Sequence, residues 1–276
     1  MDFKRIQWLL LAFFVLFNIF LVTMLVSRSK LNSPTSVPNA VVNVHQQLQE
    51  RGITIQPNAI HSSVDLSLIQ TTDNQKLQES LGTLTDQSAK MEGDILKSTF
   101  NAPVNLGIQF DAGQPHLNKE QLQALQDNLL VHGSFILFGE QYGTAVYYPS
   151  ENILVCQMVT ADGKPIVDGT AEIRLTLNNE HQVVAYTQTY QEGASKLHKQ
   201  LPLITAENAL SILDSRIETN VPNDSIIVSV DLGYFRIVDA TGLDVYSPVW
   251  EVQYIRRDGT LRSKFVDAMR GQAINR

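Results

Sequence analysis

Six histidines and one cysteine are the side chains best suited to chemistry in this chain of 276 residues. A metal site on a helix needs ligands three or four residues apart, so that both imidazoles share a face. His45, His61, His116, His132, His181 and His198 are spaced too widely for that and read as separate structural or surface residues. The sequence has no His-Glu-x-x-His, no Cys-x-x-Cys and no Asp-rich calcium loop. A thiolate nucleophile requires a base and an electropositive setting. Cys156 lies between Val155 and Gln157 in an apolar run. His132 is a partner that the sequence leaves open, but a buried small hydrophobe is the plainer reading. No Gly-x-Ser-x-Gly and no phosphate-binding Gly-x-x-x-x-Gly-Lys are present, and Gly107, Gly113, Gly139 and Gly143 stand alone as turn residues. The residues therefore point to no catalytic group, no cofactor and no metal. The cluster Phe135, Phe138, Tyr142, Tyr147 and Tyr148 fits sheet core better than a peptide groove, and Trp250 fits a core anchor.

One polar residue stands out by its surroundings. Ile6–Val26 is almost unbroken hydrocarbon with Asn18 near its middle. At ~1.5 Å per residue this run spans roughly the 30 Å core of a bilayer. It is too long, and too poor in small residues at its end, for a cleaved secretory signal. With the free amino group, Lys4 and Arg5 before it and Arg28 and Lys30 after it, the charge bias slightly favours a cytoplasmic N-terminus. A lone cysteine supplies no internal disulfide. On a helix, Leu11, Phe14, Asn18, Val22 and Leu25 fall along one stripe. An amide in hydrocarbon seeks a hydrogen-bonding partner, so this stripe is the expected contact for another membrane helix. Thr23 lies outside it.

The chain carries a formal net charge of -7, and residues 27–276 hold 27 acids against 19 bases. Such a domain gains no counterion-release drive towards nucleic acid, so its partner is protein. Pro34 and Pro38 mark a short tether. Helical spacing predicts Val41–Glu50, Asp73–Leu84, a helix capped by Asn118 and Ala206–Ile217 capped by Thr205. Strands are expected at Ile53–Ile55, Ser134–Phe138, Thr144–Tyr148, Ile153–Thr160, Ala171–Leu177, Gln182–Tyr190, Ile226–Val230, Tyr234–Val238, Pro248–Ile255 and Leu261–Val266. Lys90–Phe100 is ambiguous. The fold class is α+β, mainly antiparallel sheet with helices. Helix–strand–strand–strand order occurs twice, a hint of two similar lobes at about 41–160 and 161–276. The division is thus 1–5 tail, 6–26 membrane helix, 27–40 linker and 41–276 external domain.

Met1-Asp2-Phe3-Lys4-Arg5-Ile6-Gln7-Trp8, the Phe-rich run with Asn18-Ile19-Phe20-Leu21, Leu48…Gly52-Ile53, Thr205-Ala206-Glu207-Asn208-Ala209-Leu210 and Ser247-Pro248-Val249-Trp250-Glu251-Val252 together resemble the YycI (WalI) family. The resemblance implies a single-pass protein of Gram-positive bacteria with a cytoplasmic N-terminus and an extracellular C-terminal domain. It implies a fold like part of YycH. It also implies that the protein, with a YycH-like partner, restrains a sensor histidine kinase of YycG (WalK) type that controls cell-wall metabolism, largely through transmembrane contacts. Such a protein is not an enzyme. An alternative is a tethered module that binds extracellular peptides or wall fragments.

Overall fold

The computed structural model describes residues 3–31, 44–62, 64–72, 76–132, 134–197, 202–215, 217–240 and 242–274. It divides into two compact units, Met1–Ala40 and Val41–Arg276. The first unit contains one helix, α1 (Phe3–Leu31). Ser27–Leu31, expected in the linker, is helical. Nothing in that stretch breaks a helix, and the first residue that disfavours helical geometry before it is Pro34. The remainder of the expected tether lies outside the described residues. Among the described residues no helix is long and apolar enough to cross a membrane.

The second unit begins with α2 (Val44–Glu50), which buries Val44 and Leu48. The expected start of this helix, residues 41–43, lies outside the described residues. There follow β1 (Thr54–Ile55), β2 (Ile69–Thr72), α3 (Lys76–Ser80), β3 (Gln87–Glu92) and β4 (Ile95–Val104). Next come α4 (Lys119–Leu125), β5 (Tyr142–Tyr148), β6 (Ile153–Met158), β7 (Glu172–Leu177), β8 (Val183–Gln188) and β9 (Glu192–Lys196). The chain closes with α5 (Ala206–Asp214), β10 (Ile226–Ala240), β11 (Leu243–Ile255), β12 (Leu261–Asp267) and β13 (Gln272–Ile274).

The strands form two sheets. The first has the order β1-β10-β11-β12-β13, with β2 on β11 and β9 on β2. The second is β3-β4-β8-β7-β6-β5. Only the β1–β10 pairing is parallel among these strand pairs. The architecture is α+β and mostly antiparallel. The sheets are nested: the chain lays down β1 and β2, leaves to build the second sheet from β3 to β8, then returns. The division expected near residue 160 falls between β6 and β7, which are neighbours in one sheet.

Capping of α4 and α5 follows the sequence. The Asn118 side chain accepts from Gln121 N at 2.9 Å while Gln121 Oε1 accepts from Asn118 N at 2.9 Å, a reciprocal capping box. Thr205 Oγ1 accepts from Asn208 N. Helix α5 ends at Asp214 rather than Ile217, so Ile217, which continued helical spacing would set beside Leu210 and Leu213, is instead 90% exposed. Helix α3 covers only the middle of the expected Asp73–Leu84; residues 73–75 lie outside the described residues and a short 3-10 turn follows at Leu81–Thr83.

Three strand readings change. Lys90–Phe100 is an antiparallel hairpin that turns at Gly93, with Leu96, Ser98 and Phe100 facing inward. Ile226–Val230 and Tyr234–Val238 merge into β10 without a turn. Gly233 lets another segment approach the ribbon there: a Cβ would meet Val167 Cγ1 at 2.6 Å. Ser134–Phe138 is a buried irregular segment, not a strand. Its backbone acceptors are satisfied by side chains: Gln87 Nε2 donates to Ser134 O and Phe135 O, the Tyr186 hydroxyl to Phe135 O, and Gln188 Nε2 to Leu137 O. These bonds allow Ile136 and Leu137 to be buried without a ladder.

Directly after this segment, a Cβ on Gly139 would lie 1.9 Å from the Leu130 carbonyl oxygen, whereas nothing approaches Gly82 within 4 Å. We expect Gly139→Ala to cost roughly 1–3 kcal/mol and Gly82→Ala to be close to neutral. Urea unfolding of the two variants measures the difference.

Candidate functional site

The stripe expected on α1 is helical throughout its backbone. Leu11 is 54% exposed, Phe14 63% and Val22 61%, and Asn18 is exposed with them. The side chain of Leu25 lies outside the described set. Asn18 Nδ2 donates to the Phe14 carbonyl at 2.8 Å, one turn back. Thr23 Oγ1 likewise donates to Phe20 O at 2.8 Å and so has its proton engaged within the helix. An amide has two N–H donors and a carbonyl acceptor. Asn18 therefore keeps one N–H and its Oδ1 available on an apolar stripe.

The candidates for chemistry in the second unit are placed differently. Cys156 is fully buried, and burial raises its pKa well above the usual thiol value, with the Glu172 carboxylate opposing ionisation further. His132 is exposed and stacks on Phe135 at 4.7 Å. The aromatic set disperses through the core. Tyr142 is buried and donates to Thr189 O at 2.6 Å. Phe138 stacks on Tyr190, and Tyr147 on Phe110. Trp250 is fully buried and its Nε1 donates to Ile204 O at 2.9 Å. Among the described residues no group of three or more His, Cys, Asp or Glu is placed to hold a metal.

A different cluster emerges from the register of β10 and β11. Val230 opposes Val252 and Leu232 opposes Trp250, which puts these four on one face. Ser229 opposes Gln253 and Asp231 opposes Glu251 on the other face. Ser263 on β12 opposes Gln253 and joins that second face. Glu251 Oε1 accepts from Ser263 Oγ at 2.7 Å and from Gln253 Nε2 at 3.0 Å. Asp231 accepts from Ser229 Oγ and pairs with His61 Nδ1 at 2.8 Å. Apolar clusters flank this polar layer: Val146, Val228 and Leu261 on one side, Val167, Val249 and Phe265 on the other.

Desolvation sets the electrostatics here. Burial raises the pKa of Glu251; hydrogen bonds from Ser263 and Gln253 oppose the rise, and the carboxylates of Asp231 and Glu172 add to it. His116 is solvent-exposed, yet desolvation of its ring by the surrounding protein lowers its pKa, with Asp231 and Gln253 opposing. His116 also lines an open cleft of about 580 Å³ with Gln56, Pro57, Asp111, Gly113, Gln114, Pro115 and Val228. The segment reaches this position because it runs beside β5, where His116 bridges to Val146. Sequence reasoning treated His61 and His116 as separate and missed Glu251 and Gln253. The usable clue was polar alternation, Ser229/Asp231 and Glu251/Gln253, inside runs whose other residues are apolar.

Glu251 binds its proton more tightly in the folded chain than in the unfolded one. Its contribution to stability is present below the usual glutamate value of 4.5 and is lost as pH rises through the raised folded value. Glu251→Gln keeps an acceptor for Ser263 and Gln253 but removes the charge. The variant should melt above the parent at pH 8, and the gap should close at pH 4. Thermal unfolding at the two pH values reads it.

Among solved structures, an uncharacterized protein from Eubacterium rectale ATCC 33656 aligns with a TM-score of 0.40 at 11% identity, covering 85% of this chain and 98% of that one. The C-terminal domain of Bacillus megaterium YpeB aligns with a TM-score of 0.36 at 12% identity, covering 84% and 95%. No curated protein matches the chain. The family described as YycI protein matches residues 32–269, from the end of α1 to just beyond β12. On that match the chain belongs to the YycI family, a regulatory family tied to the YycFG two-component system.

Proposed function

We propose that the chain is a membrane-anchored regulator whose α1 lies in the bilayer beside the transmembrane helices of a YycG-type sensor kinase. With a YycH-like partner it biases, and restrains, that kinase. The second unit is then extracellular. The observation that carries this reading is the exposed apolar helix with an incompletely paired amide, Asn18, on the stripe of Leu11, Phe14 and Val22. Leu25 extends the stripe in sequence. A partner shifts a two-state kinase only if it binds one state better than the other. Interhelical hydrogen bonds in membranes contribute about 0.6–2 kcal/mol, equivalent to a roughly three- to thirty-fold change in that balance.

A second reading, a tethered module for extracellular peptides or wall fragments, draws support from the cleft beside His116. Exchange of Leu9–Val26 for an unrelated apolar span separates the two. The α1 reading expects kinase output to rise to that of a strain lacking the protein, and Asn18→Leu to give a partial, roughly three-fold or larger rise. Unchanged output in the exchanged protein, with full activity of a form starting at Asn39, supports the tethered module and overturns the α1 reading.

A further inference from the structure

Around the cleft, two side-chain acceptors remain open. Gln56 Nε2 donates to the Gly113 carbonyl at 2.9 Å, and the Gly113 N–H donates to Asp111 Oδ1 at 2.8 Å. Gln56 Oε1 and Asp111 Oδ2 are left for a visitor. His116 faces the same space. Behind it, Gln253 is 1% exposed, and its Oε1 has no hydrogen-bond partner although its Nε2 is engaged by Glu251. A neutral imidazole carries one N–H and one lone pair. No Lys or Arg lines the space. The charged neighbours acting on His116 are Asp231 and His61, themselves paired.

We propose that this cleft binds an organic cation: a primary ammonium or guanidinium group on a short carbon stem. Such a group presents donors only, which suits the open acceptors of Asp111 and Gln56. Its positive charge suits the Asp111 carboxylate and the nearby Asp231. The stem packs on Pro57, Pro115 and Val228. An anion would meet carboxylates without a compensating cation. The volume of about 580 Å³ lies within the usual small-ligand range of roughly 300–1,000 Å³. A free amine and a basic side chain of a partner protein share this chemistry. The site is independent of the α1 contact, so failure of either leaves the other standing.

The test is calorimetric titration of the full chain in nonionic detergent micelles at pH 7.5. The ligands are n-butylammonium, methylguanidinium and a blocked Gly-Lys-Gly tripeptide, with n-butanol and acetate for comparison. At least one cation should bind, and n-butanol and acetate should not. Asp111→Asn, which keeps the Oδ1 acceptor of the exposed turn, should weaken cation binding about tenfold. Tighter binding of the tripeptide than of the free cations assigns the site to a basic side chain, and the reverse assigns it to a free amine. No cation binding, an equal response to n-butanol, or undiminished affinity in Asp111→Asn overturns the proposal.

Discussion

The antiparallel ribbon of β10 and β11 is the constraint on which the second unit depends. Its pairing runs from Ile226 opposite Ile255 to Ala240 opposite Leu243. All other strands of the first sheet attach to it directly or through one neighbour: β1 along β10, β12 and β2 along β11, then β13 and β9. The second sheet is tied to it through Val167 N to Tyr234 O and Tyr234 N to Pro165 O, at 2.9 and 2.8 Å. Because side chains alternate across a strand, the register decides both faces at once. One face carries Leu232, Trp250 and Val252 into the core that α5 covers. The other must carry Ser229, Asp231, Glu251 and Gln253. A slip of one residue would exchange the two sets, so the polar layer and the main core stand or fall together.

Within that polar layer, Glu251 is buried without a basic partner. Glu251 is held by two neutral donors, and Gln253 keeps an orphan acceptor. Buried polar groups left partly satisfied cost stability. Retaining them beside an open cleft is the arrangement expected of a recognition surface more than of a structural core. The thiol of Cys156 is sealed in β6. A regulator needs no reacting atoms; it needs surfaces whose affinity differs between the states of its partner. On the proposed reading, the apolar stripe of α1 with its one amide is such a surface, and the polar cleft is a second candidate.

Much of this was legible in the sequence where local chemistry decides the outcome. The Asn118 and Thr205 caps, the alternation of Ile173, Leu175 and Leu177 and the burial of Trp250 all follow from short-range pattern. What escaped depends on distant residues. Ser134–Phe138 has strand composition, yet Gln87, Tyr186 and Gln188 supply the hydrogen bonds a neighbouring strand would have supplied. Asp231-Leu232-Gly233 resembles a turn, but the room that Gly233 leaves serves the approach of Val167. The nesting of one sheet within the other was hidden for the same reason: consecutive strands such as β6 and β7 pair, while β2 waits for β9 and β11. His61 and His116 are remote in sequence: a backbone bond to Val230 O places the first beside β10, and a bridge to Val146 places the second beside β5.

The α1 contact is tested most directly by a single-cysteine crosslinking scan along residues 10–23 in native membranes that contain the sensor kinase. The native thiol is buried, so each introduced cysteine reports alone. Crosslinks to the kinase should recur with helical period, strongest at Leu11, Phe14, Asn18 and Val22 and weak at Phe13, Leu16 and Phe20. Crosslinking that is absent, or uniform around the helix, would contradict a specific contact through Asn18.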